Sequence, residues 1–554
     1  MQTCFIRKWN ADALQRSDFD PKIYSFAANR ARQPGSFRRP LPSPPRSFRR
    51  HSPAGRASFE ENARLVHPAP HARGTFPARL PAGRLPVPTP AFPSMPFAKD
   101  FTWGAAAAAY QIEGAAADDG RSPSIWDVFS HQAGKTFEGH TGDVACDHYH
   151  RWEEDVALMK QLGLKAYRLS LSWSRILPDG TGRINEAGLA FYDRLIDALL
   201  AAGITPWVTL YHWDMPQALQ ERGGFLNRDF AGWFAEYATV VASRLGDRVK
   251  HWMTFNEPPV IIGLGLQEGL SAPGLQLSFR ECLLGAHHLL LAHGRAVQAL
   301  RAGSRGPVKI SLAHTGRERI PATANPADIA AARTDYFTCA EHRLWNLAWW
   351  MDPVHFGRYP ADGLENFAAD LPAFPDADLR VISEPLDFIG YNCYTGWQVR
   401  AGANGKPEKL PGGWGIGNPR GTLAWLDIAP EAPYWAARFL TERYQLPVAF
   451  TENGFCNTDF VHLDGEVHDP QRIDFMARYL SQIRRAADEN IPLAGYFYWS
   501  ILDNYEWRQG YKDRFGLVHV DYQTQKRTPK DSFAWYREVI RANGTNLPSV
   551  SPRM

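Results

Sequence analysis

Apolar residues recur along this chain in two alternating rhythms. Short apolar runs occupy 101–109, 166–173, 204–211, 249–255, 308–313, 386–391, 446–450 and 494–501. Near-continuous runs of this kind suit strands buried on both faces. Between them the period lengthens to that of a helix. Asp155–Gly163 sets Val156, Met159 and Leu162 on one face. Asn185–Gly203 does the same with Leu189, Tyr192, Leu195, Ile196 and Leu199, and Gly203 stops it. Eight strands alternating with helices predict an α/β fold, a closed (β/α)8 TIM barrel. An open doubly wound sheet would want a glycine-rich phosphate turn after an early strand, and Trp103-Gly104-Ala105-Ala106 is not one. In a barrel the C-terminal strand ends form the functional face, so the polar residues there are the candidates.

The rhythm is confined to 96–545, a single expected catalytic domain, with 546–554 as a short tail. Residues 1–95 hold 15 of the 42 prolines and clusters such as RRPLPSPPRSFRR at 38–50. Such a segment buries too little apolar surface to offset its chain entropy and is expected to be disordered. It reads as translation from a start placed upstream of Met95, as an Arg-rich transit peptide, or as a basic interaction tail. The first reading is favoured, because the globular pattern begins at Phe97.

Charge follows the same division. The net charge of +3 conceals a tail with 16 Lys and Arg against 5 Asp and Glu, which leaves the other 459 residues at −8. The body therefore carries no electrostatic footprint for nucleic acid. No apolar run approaches 18 residues, so no membrane span is expected, and the N-terminus lacks a secretory apolar stretch. The six cysteines show no metal or disulfide spacing, which fits a reducing, cytoplasmic setting. The pattern carries no signal of oligomeric state.

Two motifs carry the chemistry. Thr254-Phe255-Asn256-Glu257-Pro258 closes the fourth run and Thr451-Glu452-Asn453-Gly454 the seventh. Two carboxyl groups facing one pocket are what glycoside hydrolysis requires, one to protonate the leaving oxygen and one to attack or stabilise the anomeric carbon. A general acid at Glu257 must stay protonated near neutrality, which burial and a neighbouring negative charge would achieve. Asn256 can donate to the hydroxyl beside the reacting carbon. Tyr394, in Gly390-Tyr391-Asn392-Cys393-Tyr394, can donate to the nucleophile, while Tyr391 reads equally as an aromatic plug.

The remaining candidates each carry a structural reading beside the functional one. Gln111 offers a donor and an acceptor to adjacent hydroxyls, or it is a rim glutamine bonded to backbone. Arg168, inside an apolar run, keeps a catalytic carboxylate ionised or forms a structural ion pair. His212 has no partner at ligand spacing, so it reads as a neutral imidazole donating to a sugar, not a metal ligand. His287-His288 reads as helix packing. Trp499, Glu506 and Trp507 lie within nine residues and read as a sugar-binding floor, for which 19 tryptophans provide the material. Phe515 is placed to close the pocket.

With these motifs in this order, residues from Phe97 to about Arg541 resemble glycoside hydrolase family 1, the β-glucosidase family. The resemblance implies a retaining double displacement without cofactor or metal, acting on a small β-glycoside or oligosaccharide and contributing to cellulose and polysaccharide breakdown. It implies Glu452 as nucleophile and Glu257 as acid/base. Gln111, His212, Asn256, Glu506 and Trp507 would hold the non-reducing sugar over Trp499, with Arg168, Asn392 and Tyr394 supporting the nucleophile and Phe515 at the pocket wall. Glu506 implies a non-phosphorylated sugar. The chain departs from the family pattern at Pro259, where a tryptophan is frequent, at Ser271, where a histidine is familiar, and at Cys393, where a tyrosine is common. The first two changes lie toward the leaving group. The alternatives are a non-catalytic sugar-binding protein on the same scaffold and an enzyme that mainly transfers glycosyl groups.

Overall fold

The computed structural model describes residues 96–410 and 417–549; the expected extension at 1–95 and the tail beyond 549 lie outside them. Eight strands close a parallel barrel: β1 Thr102–Ala106, β2 Ala166–Ser170, β3 Thr205–Tyr211, β4 His251–Asn256, β5 Lys309–Thr315, β6 Ile389–Asn392, β7 Val448–Asn453 and β8 Leu493–Trp499. Each pairs with its neighbours in sequence, and β8 closes on β1 through Thr102↔Gly495 to Ala106↔Trp499. Almost every strand residue is buried, as expected where one face meets the barrel interior and the other a layer of helices.

The far end of the barrel from the strand C-termini is filled by rings. Trp207 lies flat on His251 at 4.3 Å between centroids and meets Phe497 at 4.8 Å and Phe388 at 5.2 Å. Gly104 lets β1 pass this packing, since a Cβ there would stand 2.3 Å from the Phe497 ring.

The helical periods hold with shifted ends. Helix Glu186–Ala201 buries Leu189, Tyr192, Leu195, Ile196 and Leu199, and Asn185 precedes it. The helix expected at Asp155–Gly163 begins earlier, at His148, because His148 and Tyr149 are buried although they break the apolar period. It ends where Gly163 turns left-handed at φ +80°. Strand boundaries moved more. The first run stops at Ala106, and Ala109–Ile112 is helical, its first N–H bonded to the Ser170 hydroxyl at 2.7 Å. The second stops at Ser170, followed by the helical turn Trp173–Ile176. The seventh runs on through Thr451, Glu452 and Asn453, so Glu452 lies within the strand and not after it.

Two small sheets were not legible in the apolar pattern. Glu318–Pro321, Gly396–Ala401 and Pro407–Lys409 form a three-stranded sheet built from the segments after β5 and β6. Val518–Val520 and Arg527–Pro529 form an antiparallel pair. No helix among the described residues is long and apolar enough to cross a membrane.

Candidate active site

The Asn-Glu-Pro motif is a strand-to-helix switch. Asn256 ends β4, Glu257 adopts the left-handed region at φ +50°, and Pro258 opens the short helix Pro258–Ile262. Proline suits a first helical turn because its missing N–H would have no partner there. A left-handed glutamate costs about 1 kcal/mol and is held by its N–H bond to the Ala313 carbonyl at 2.8 Å. In the second motif, Gly454 is required by close approach: a Cβ there would stand 1.8 Å from the Trp499 carbonyl.

Barrel closure brings the two glutamates into one hydrogen-bonded network. Arg168 on β2 donates to Glu452 Oε1 at 2.5 Å, to Asn256 Oδ1 at 2.6 Å, to the Thr451 carbonyl at 3.1 Å and to Thr209 at 3.2 Å. The carboxylate that Arg168 meets is Glu452. The Tyr394 hydroxyl donates to Glu452 Oε2 at 2.7 Å. Asn392 donates to Glu257 Oε1 at 2.8 Å and to Asn256 Oδ1 at 3.0 Å, while its own oxygen accepts from Thr451 at 2.7 Å. The Thr315 hydroxyl also touches Glu257. A continuous path of hydrogen bonds thus runs Glu257–Asn392–Asn256–Arg168–Glu452.

The two carboxyl groups are buried alike and partnered differently. Burial, and then the charge of Glu452, push Glu257 up to about 8. Burial also raises Glu452, but Arg168 and the Tyr394 hydroxyl pull it back. Near neutrality the proton therefore resides on Glu257, and Glu452 is the ionised partner.

His212 is neutral: burial, then the Arg168 charge, hold it well below the ordinary imidazole value. Asn256 Oδ1 already accepts from two donors, so its nitrogen faces His212 Nε2 at 3.0 Å. That ring nitrogen is an acceptor and the proton sits on Nδ1, which leaves Nδ1–H as the donor of the neutral imidazole. Gln111 divides between its two readings. Its nitrogen donates to Asn504 Oδ1 at 3.0 Å and the Tyr505 carbonyl at 2.9 Å, while its buried Oε1 has no partner among the described residues.

His212 lies between two indoles, Trp499 at 5.6 Å and Trp507 at 5.8 Å. Trp507 is backed by Tyr110, parallel within 5° at 6.2 Å, and by Trp126 at 4.7 Å. Half-buried Glu506 precedes it and sits 3.4 Å from the Gln111 nitrogen; burial, Asp513 and the two glutamates hold its carboxyl well above the usual range. Phe515 is buried, its ring edge-on to Tyr394 at 6.2 Å, so it braces the hydroxyl that donates to Glu452. His287 and His288 are buried in helix Phe279–Gly303, bonded to Tyr359, Asp378 and the Phe225 carbonyl, which is packing.

Several residues of the network escaped sequence reasoning. Trp213, left-handed at φ +80°, donates its indole N–H to the Asn256 carbonyl at 2.9 Å and stacks near Trp507 at 4.5 Å. It stands beside His212 in a segment already singled out. Thr209 and Thr315 carry no signal of their own, being single threonines on strands, and Thr451 was marked only as part of its motif. Among the described residues no group of three or more His, Cys, Asp or Glu is arranged to hold a metal.

The sequence profile of Glycosyl hydrolase family 1 matches residues 94–545 of the chain. The chain belongs to glycosyl hydrolase family 1. It is 45% identical over 452 residues to Beta-glucosidase A of Thermotoga maritima, covering 81% of this chain and 98% of the relative. Beta-glucosidase A of Acetivibrio thermocellus is 43% identical over 453 residues, with 81% and 99% covered. A solved structure of the Thermotoga maritima β-glucosidase in complex with glucoimidazole matches with a TM-score of 0.74 and 44% identity, over 81% of this chain and 99% of that one. The family-1 chain is thus an enzyme, a glycosyl hydrolase, on a TIM barrel.

Proposed function

We propose that this chain is a retaining, exo-acting β-glucosidase that releases terminal non-reducing β-D-glucosyl residues. The observation that carries the reading is the unequal partnering of two buried carboxyl groups on one network. Glu452, ionised against Arg168 and Tyr394, attacks the anomeric carbon while Glu257 gives its proton to the departing oxygen. A glycosyl ester on Glu452 results, and Glu257, now a carboxylate, takes a proton from water as it attacks the same carbon. Arg168 and Tyr394 hold Glu452 in place through both steps. Gln111, His212, Asn256, Glu506, Trp499 and Trp507 form the sugar-binding wall, with flat indoles for the C–H face and polar groups for the hydroxyls. Asn392 and Phe515 steady the pair from behind.

Support for the glucoside comes from the relatives, which are named β-glucosidases, one of them solved with glucoimidazole. The described cysteines, Cys146, Cys282, Cys339, Cys393 and Cys456, are buried free thiols, which suits work in a reducing cytoplasm.

Release of nitrophenol from paired β-glucoside, β-galactoside and β-fucoside substrates tests the reading. Wild type is expected to favour the glucoside, and Glu452→Ala to lose roughly 10⁴-fold in turnover. Near-normal turnover by Glu452→Ala would remove the nucleophile assignment, and an inverted product anomer would remove retention.

A further inference from the structure

The small three-stranded sheet after β5 and β6 gathers cations against indoles at the functional end of the barrel. Arg319 pairs in register with Trp397, and Arg317 immediately precedes the first strand of the sheet. The Arg317 guanidinium lies 4.9 Å from the Trp397 ring centroid and 5.3 Å from that of Trp345. Arg319 and Lys409 also approach Trp397, at 5.2 and 5.6 Å. Those two are paired: Arg319 with Asp335, and Lys409 with Asp335 at 3.8 Å and Glu341 at 3.4 Å. Arg317, half-buried, makes no side-chain hydrogen bond or ion pair among the described residues.

The segments that carry this cluster are those that hold the two glutamates. Thr315, two residues before Arg317, touches Glu257. Tyr394, three residues before Trp397, donates to Glu452 at 2.7 Å. The Trp345 indole nitrogen lies 3.8 Å from where a Cβ on Gly263 would stand, six residues beyond Glu257. The cluster therefore flanks the pair on the side of Glu257 and its following helix.

We propose that Arg317, stacked with Trp345 and Trp397, forms a leaving-group subsite that selects glycosides whose aglycone is a flat ring bearing a carboxylate. The proposal rests on the β-glucosidase reading, in which Glu257 protonates the departing oxygen and its side of the pocket receives the aglycone. A guanidinium held over aromatic rings without a hydrogen bond to the protein keeps its N–H groups as donors, the fork that binds a carboxylate through two parallel bonds. Both indoles are half-buried, so part of each ring stays open to an aglycone. Arg319 and Arg343 add positive potential around Arg317, Glu341 and Glu268 oppose it, and Lys409 offsets Glu341. The chemistry at the sugar is unchanged: the glycosidic C–O bond breaks, the Glu257 proton goes to the phenolic oxygen, and a free hydroxy acid leaves.

The test is kcat/KM for 4-carboxyphenyl β-glucoside and its methyl ester with wild type, Arg317→Gln and Arg317→Lys. The acid-to-ester ratio, compared between proteins, cancels leaving-group ability and any loss of folded enzyme. It is expected to fall roughly 10- to 100-fold in Arg317→Gln and less in Arg317→Lys, and to fall with added salt in wild type. The same ratio in wild type and Arg317→Gln would overturn the subsite. If nitrophenyl β-glucoside is cleaved in that case, the β-glucosidase reading stands and the subsite alone fails. If wild type cleaves none of the three, the β-glucosidase reading fails and the subsite with it.

Discussion

Two buried charge networks lie close together in this barrel and behave differently. The first is the Arg168 network, in which one cation serves Glu452 and none touches Glu257. The second joins Arg472, Lys530 and Arg514 to Asp459, Asp469 and Asp503, three cations to three carboxylates. Lys530 meets Asp459 at 2.5 Å and Asp503 at 2.7 Å, Arg514 meets Asp503 at 2.7 Å, and Arg472 meets Asp469 at 2.7 Å and also Asp459. All six are buried or nearly so, as the glutamates are. What separates Asp503 from Glu257 is the number of cations each one meets. Burial acts to raise Asp503, but Lys530 and Arg514 outweigh it and hold the group down to about 2. Asp469 and Glu452, each with one cation, are raised by burial despite it. Glu257, with none, reaches about 8. Glu257 and Asp503 are both buried, so at these two the cations in contact decide which carboxyl holds a proton.

The strongest way to break this comparison is to take the cation from the first network. Arg168→Met is expected to lower kcat roughly 10²- to 10³-fold. Arg168 lowers the Glu452 value, so its loss raises that value and moves the acid limb of the pH–rate profile upward. The basic limb belongs to Glu257, which must be protonated to act, so wild-type activity should fall as pH rises through about 8. An unmoved acid limb in Arg168→Met would detach Arg168 from the nucleophile.

Removing a cation from the second network should affect stability and not the pH profile. Lys530→Met leaves Asp459 and Asp503 short of a partner and is expected to cost about 3–5 kcal/mol, read from denaturant midpoints. The sign of its pH dependence follows from Asp503, whose folded value lies below the ordinary 3.8. Its contribution is present above that value and lost as pH falls toward 2, about 2 kcal/mol in wild type. Lys530→Met should shrink that acid-side loss. An unchanged midpoint would show that Lys530 adds nothing to the stability of this network.

Tyr394→Phe sharpens the comparison most gently. It removes one donor from Glu452 while leaving Arg168, so kcat should fall roughly 10- to 100-fold with a smaller upward shift of the acid limb than in Arg168→Met. An equal shift in both variants would mean that cations are not what sets the nucleophile's value.

Much of this architecture was legible before any coordinates. Eight apolar runs corresponded to eight strands, because a barrel strand is apolar on both faces. The runs mislocated ends where local chemistry changed without a change in polarity pattern: the chain leaves the strand at Ala106 and turns helical from Ala109, and Thr451 to Asn453 remain strand although polar. The rim sheet escaped because its strands are short and charged. At the site, Glu257 and Glu452 stood out by motif, whereas Thr209 and Thr315 had no sequence signal.

By itself the sequence determined the barrel, the two glutamates and the residue types around them, since apolar period and motif chemistry are local properties. Only the tertiary structure decided that Arg168 serves Glu452, that Asn256 fixes the tautomer of His212, and that Gln111 spends its nitrogen on the protein. These are pairings between residues far apart in sequence. Closure of the barrel sets them, and the count of cations reaching Glu257 and Glu452 then sets which of the two keeps the proton.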